Sequence, residues 1–152
     1  MTVYRFAKAE FADSLSGEGS KRFGGRWNSK GNAVVYTSLT ISLSLLELLI
    51  HSVSYDEILK NELTELELPL NSFAEIFTTQ LKANWQKDEN YSRYIGDEFL
   101  ISQTRLLLKV PSVIIPEEHN ILINPKHKDF KKIKIKLKRI FEFDVRLFKT
   151  DA

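Results

Sequence analysis

Five of the six glycines fall between Gly17 and Gly31, with the basic residues Lys21, Arg22 and Arg26 set among them. Exposed backbone N–H groups beside guanidinium forks suit a phosphate or pyrophosphate. The two familiar phosphate fingerprints are absent. A dinucleotide-binding G-x-G-x-x-G needs glycine where Arg22 stands, and a Walker A motif needs Lys-Ser/Thr where Gly25-Arg26 follows Gly24. The plainer alternative is a surface loop with solvated charges. The second feature is Glu47, an acid among leucines. Thr40, Ser44, Glu47, His51 and Ser54 are spaced 4, 3, 4 and 3 residues apart, so a helix puts all five on one narrow face. A buried carboxylate without a partner is costly, so this face meets either solvent or a cleft opposite the glycine segment.

Other chemistries lose ground quickly. The chain has no cysteine, which removes disulfides, thiolate metal sites and cysteine nucleophiles. Its three histidines, His51, His119 and His127, have no metal-ligand spacing, and no metal site is expected. A G-x-S-x-G nucleophile elbow is missing too.

The elements that position these residues are short. Residues 17–31 read as one long glycine-punctuated loop or pair of turns, followed by a β-branched strand at 33–37. Residues 39–53 read as a largely buried helix, with Thr37, Ser38 and Thr40 as N-cap candidates. Strand candidates follow at 62–69 and 105–110, the second ended or placed at an edge by Pro111. Residues 85–94 read as an irregular connection and 95–102 as a short helix. Short extended pieces are expected at 112–115 and 120–123, with a turn at Asn124-Pro125. Residues 132–138 alternate strictly between lysine and aliphatic side chains, and Phe141, Phe143, Val145 and Leu147 give a second alternating stretch. The fold class is α+β: one compact domain over 1–152, with mixed β-sheets and a buried helix near residues 39–53.

At 152 residues, 43% hydrophobic and 28% charged, the chain has the composition of one ordinary globular domain. Residues 126–139 hold eight Lys or Arg against the single Asp129. This +7 segment sits in a chain of net charge +2, whose remainder is therefore −5. It reads as an edge strand guarded by charge, or as a docking site for an anionic partner. Aromatics interleaved on the lysine face would favour nucleic acid, and there are none, so no direct nucleic-acid contact is expected. The N-terminus has no apolar signal segment, and the longest apolar stretch falls short of the about 20 residues of a bilayer span. A cytoplasmic chain without membrane contact is the expectation.

The run Gly17-Glu18-Gly19-Ser20, Gly24-Gly25-Arg26-Trp27-Asn28, Gly31, Val34-Val35-Tyr36, Leu46-Glu47 and His51 resembles the RES domain. Val110-Pro111-Ser112, Asn120 and Asn124-Pro125-Lys126-His127 match the same family's C-terminal signature, and Tyr4-Arg5 its usual start. The match is loose over residues 56–97, and Ser44 stands where an alanine is common. The resemblance implies an ADP-ribosyltransferase-like fold and an NAD-degrading toxin of a bacterial toxin–antitoxin pair. It implies a helical, DNA-binding antitoxin of the Xre type that blocks the active site, in an assembly that can include a toxin homodimer.

Carried onto this chain, the catalytic residues are Arg26, Tyr36, Glu47 and Ser112, with Ser20 as a rival for the serine. Arg5, Ser20, Arg22, Gly25 and Asn28 are the expected substrate-binding residues. NAD is the substrate, with inorganic phosphate as a candidate co-substrate and no other cofactor. The roles suit the residue types. Nicotinamide leaves NAD neutral, so one carboxylate, Glu47, can suffice where ordinary glycosidases use two. Arg26 clamps the pyrophosphate, aided by Arg5 or Arg22, while Tyr36 meets the nicotinamide ribose and Ser112 gives the substrate a hydroxyl donor. Water, phosphate and a protein side chain remain open as acceptors, so a protein ADP-ribosyltransferase is the second reading. A non-catalytic anion-binding or nucleic-acid-binding module is the third.

Overall fold

The computed structural model describes residues 1–148. Its strands are β1 (Thr2–Lys8), β2 (Val35–Ser38), β3 (Asn61–Glu67), β4 (Phe73–Glu75), β5 (Leu107–Pro111), β6 (His119–Ile123) and β7 (Lys134–Ile140). All seven join in one mixed sheet of order β4-β5-β6-β2-β1-β3-β7, in keeping with the α+β class expected. Only β4–β5 is parallel. Four helices flank the sheet: α1 (Glu18–Phe23), α2 (Ile41–His51), α3 (Tyr55–Leu59) and α4 (Glu89–Ser102).

The middle of the sheet is covered on both faces, which is why Leu106, Leu107 and Leu108 run apolar without alternation. Leu107, Ile121, Ile123, Val35 and Val3 enter one core. Leu108, Val110 and Leu122 enter the other, with Trp27, Trp85, Phe99 and Leu100. Pro111 closes β5 opposite His119. β7 is an edge strand, and all seven of its residues are exposed. Its lysines are solvated, and Lys138 pairs with Asp13 at 2.8 Å. That is the charge-guarded edge the alternation suggested.

Several elements differ from the sequence reading. The supposed loop at 17–31 contains α1, which starts at Gly17 (φ 69°) and ends at Gly24 (φ 73°), two positions that favour glycine. The glycines thus bracket a helix. α4 begins at Glu89, inside the stretch read as irregular, because Asp88 caps it by accepting from Tyr91 N at 3.0 Å. Residues 112–115 bend into a turn at 116–117 and are not an extended piece, and beyond Ile140 the alternation ends in a 3-10 turn at Val145–Phe148. Phe141 and Phe143 instead pack on Phe6, at 5.1 and 5.6 Å between ring centroids.

The helix read as largely buried is the main correction. In α2 only Leu43 and Ser44 are buried, while Ile50 is 61% exposed and Val53, just beyond the helix, 87%. The cause is position: among the described residues α2 packs chiefly on β1 and β2. No helix of the described residues is long and apolar enough to cross a membrane.

Candidate active site

α2 starts where Thr40 accepts from Leu43 N at 3.1 Å, an N-cap of the Ser/Thr type. That start sets the phase of the helix. Ser44, Glu47 and His51 then line a cavity of about 930 Å³ together with Gly19, Gly24 and Gly25. Thr40 and Ser54, the ends of the same polar stripe, cap α2 and α3 instead. The stripe is therefore both a cleft lining and a pair of caps.

Three side chains converge on Glu47. Its Oε1 accepts from Asn120 Nδ2 at 2.7 Å and from Ser112 Oγ at 3.4 Å. Its Oε2 lies 3.5 Å from His51 Nε2, one helical turn on. The donors are themselves fixed. Asn120 Oδ1 accepts from Ser38 Oγ at 2.7 Å, so the amide presents its NH₂ to the carboxylate. Ser38 and Asn120 face each other in the β2–β6 register. Ser112 Oγ accepts from the backbone N–H groups of Ile114 and Ile115 at 3.1 and 3.2 Å, which turns its one proton toward Glu47. Burial pushes the Glu47 carboxyl up, but hydrogen bonds from His51, Asn120 and Ser112 outweigh it and hold the group below its ordinary value. His51 is raised in return, mainly by its bond to Glu47. Glu47 is thus an ionised acceptor set in a cleft.

Tyr36 stands on the same cavity. Its hydroxyl donates to Asn28 Oδ1 at 2.6 Å and accepts from Trp27 N at 3.0 Å. Burial raises the phenol well above its ordinary value, so it stays neutral. Gly25 passes so close that a Cβ there would lie 2.6 Å from the Tyr36 hydroxyl, which explains glycine at this position by space. Asn28 is fully buried and bridges the segment through Nδ2 to the carbonyls of Ser20 and Asn32, both at 2.8 Å. Ser20 Oγ is engaged with Gly17 O and Val34 O.

The cationic wall is made by Arg5, Arg26 and Arg93. Arg5 donates from Nη1 to Ser14 O at 2.8 Å, and burial lowers its pKa. It has no carboxylate partner among the described residues, so an anion in the cavity would find a charge to meet. Arg26 is more committed. Its Nη2 donates to the carbonyls of Trp85, at 2.9 Å, and Gln86, and its Nη1 lies 3.8 Å from Glu89.

Of the expected residues, Arg5, Ser20, Gly25, Arg26, Tyr36 and Glu47 line the cavity. Asn28 and Ser112 are fully buried and do not line it, and the Ser112 hydroxyl is directed at Glu47. Arg22 is exposed and lies outside the cavity. Sequence reasoning missed Ser38, Asn120 and Arg93 as working parts of the site. Asn120 was visible within the resemblance, but its role depends on the β2–β6 register. No group of three or more potential metal ligands occurs among the described residues.

Fold and site together define a small α+β protein with one hydrogen-bonded glutamate facing an arginine-walled cleft. The RES domain matches residues 2–146, and the chain belongs to the RES domain family. It is 34% identical over 151 residues to "Toxin Res" of Yersinia enterocolitica, covering 97% of this chain and 99% of that one. It is 40% identical over 148 residues to the "Prs ADP-ribosylating toxin" of Sphingobium sp., covering 94% and 92%. The curated relatives matched are thus toxins spanned nearly end to end. The fold is shared with a chain in the crystal structure of the M. tuberculosis MbcT–MbcA toxin–antitoxin complex. There the TM-score is 0.76 at 18% identity, covering 92% of this chain and 83% of that one.

Proposed function

We propose that this chain is the toxin of a toxin–antitoxin pair and that it cleaves the nicotinamide N-glycosidic bond of NAD. The observation that carries the reading is the Glu47 carboxylate, kept ionised by Asn120, Ser112 and His51 on the wall of a cavity that also holds Tyr36 and Arg5. As the bond from ribose C1′ to the ring nitrogen breaks, its electron pair leaves with nicotinamide, which departs neutral. Positive charge grows on the ribose, and a fixed carboxylate favours that state over the ground state. The acceptor oxygen then bonds to C1′, and any proton it carries passes to solvent. Ser112 and Asn120 are positioning residues here, since they act through Glu47. Arg5, with Nη1 of Arg26, meets the pyrophosphate.

A second reading shares the site: transfer of ADP-ribose to a protein, favoured by the 40% identity to a relative named as ADP-ribosylating. Incubation with NAD separates the two. Free nicotinamide with no labelled protein supports cleavage, and adding inorganic phosphate then distinguishes ADP-ribose from its phosphorylated form. Label on protein from a cell extract supports transfer. NAD unchanged in both arms contradicts both readings.

The antitoxin we infer is helical, of the Xre type, and covers this cavity. Two apolar side chains on the cavity wall, Phe23 and Ile50, are 72% and 61% exposed and give such a partner apolar surface to cover.

A further inference from the structure

A second cavity, of about 450 Å³, adjoins the first. Phe23, Gly24 and Arg93 line both, and Ser29, Lys30, Asn90, Tyr94 and Asp97 line the second alone. Both volumes lie in the range of about 300–1,000 Å³ usual for small-molecule sites. The second holds two features with no internal use. Phe23, at the end of α1, and Tyr94, on the outer side of α4, are 72% and 65% exposed, so each shows much of its ring to the cavity or to water. Arg93 sits where the two cavities meet. Its Nε donates to Gly25 O at 3.0 Å and its Nη2 to Glu89 at 2.7 Å, which leaves Nη1 without a hydrogen bond among the described residues. The acidic member, Asp97, is already saturated by Ser29 N, Ser29 Oγ and Asn32 Nδ2, at 2.6 to 2.9 Å.

We propose that this second cavity binds the adenine nucleotide half of the dinucleotide, with the base stacked on Tyr94 and Phe23. Lys30 and Arg93 then meet the phosphate where the molecule crosses from one cavity to the other. The division of labour follows from chemistry. The glycosidic bond to be broken belongs at Glu47, and the other half of the substrate carries a flat purine that needs an aromatic face and a phosphate that needs a cation. The first cavity offers the carboxylate; the second offers the rings. This inference rests on NAD as the substrate, and its test is chosen to separate the two claims.

Calorimetric titration of the full chain with adenosine monophosphate and, separately, with nicotinamide mononucleotide makes the test. Tyr94 is the residue to change, because it lines only the second cavity and its exposure lets the fold tolerate substitution. With one base-stacking ring lost, Tyr94→Ala is expected to weaken adenosine monophosphate roughly tenfold. Tyr94→Phe, which keeps the ring, is expected to retain the affinity. Neither change should move nicotinamide mononucleotide. Unchanged adenosine monophosphate affinity in Tyr94→Ala, an equal loss for both nucleotides, or no adenosine monophosphate binding to the unsubstituted chain would overturn the assignment. If the unsubstituted chain still binds nicotinamide mononucleotide and releases nicotinamide from NAD, that failure is confined to the second cavity. Failure of those two as well removes the reading of the first.

Discussion

Glu47 and His51 form a pair whose two halves respond oppositely to pH. The carboxyl lies below its ordinary 4.5, so its contribution to stability is present above that value and lost as pH falls through the lowered one. The imidazole lies above its ordinary 6.5, so its contribution is complete below 6.5 and lost as pH rises through the raised value. Both hold together between those ordinary values. Because the His51 side chain is 73% exposed, salt should weaken the pair. An NMR titration should place the His51 midpoint above 6.5 and bring it down in Glu47→Gln; a midpoint at or below 6.5 in the unsubstituted chain speaks against the contact. Arg26 makes a different prediction, since its guanidinium both faces the cavity and pins the carbonyls of Trp85 and Gln86. One nitrogen, Nη2, holds both carbonyls, and lysine lacks the second, Nη1, that would remain to meet an anion. Arg26→Lys should bind NAD roughly tenfold more weakly, near the about 1.5–3 kcal/mol of a charged hydrogen bond, and should also melt earlier. If calorimetry finds NAD affinity unchanged in both Arg26→Lys and Arg26→Ala, the pyrophosphate lies elsewhere.

The elements hold the site through a few close approaches. Gly96 of α4 sits so tightly on Trp27 that a Cβ would fall 1.6 Å from the Trp27 carbonyl oxygen. Gly96→Ala must push the helix away from the segment carrying Arg26, at about 2–3 kcal/mol, or roughly 5–10 °C in Tm for a chain of this length. Gly19→Ala is the control, because a Cβ there meets nothing within 4 Å. Equal melting temperatures for the two variants would mean that α4 is not seated as described. The legibility of the elements follows the same physics. The helix-borne stripe was readable because 4, 3, 4, 3 spacing is geometry, and β7 because strict alternation on an edge leaves one pattern. Residues 17–31 were misread because glycines that start and stop a six-residue helix look like a flexible loop. The burial of α2 was overstated because hydrophobicity reports what a helix can bury, not whether a layer exists to bury it. Ser38 and Asn120 were out of reach for a further reason: their meeting depends on the pairing of strands more than 80 residues apart.

At the scale of the whole molecule, the cleft is open on a side where Phe23 and Ile50 remain exposed. An enzyme that drains NAD harms its own cell unless something covers that opening. An acidic or chain-end carboxylate plug suits the Arg5 and Arg26 wall. On the proposed reading, expression of this chain alone should arrest growth and lower cellular NAD, and co-expression of the inferred antitoxin should restore both. Saturating antitoxin should raise the apparent Kd for NAD, whereas a complex that binds NAD as tightly as the free chain places the block away from the cleft. The central claim is narrower: one carboxylate, held by three neighbours, drives bond cleavage. Release of free nicotinamide from NAD by purified Glu47→Gln protein, alongside the unsubstituted chain, addresses it most directly. A folded variant that still binds NAD should lose two or more decades of turnover, on the scale of about 2.7–4 kcal/mol for one electrostatic partner of the transition state. Turnover near that of the unsubstituted chain would contradict the account and remove Glu47 from the chemistry.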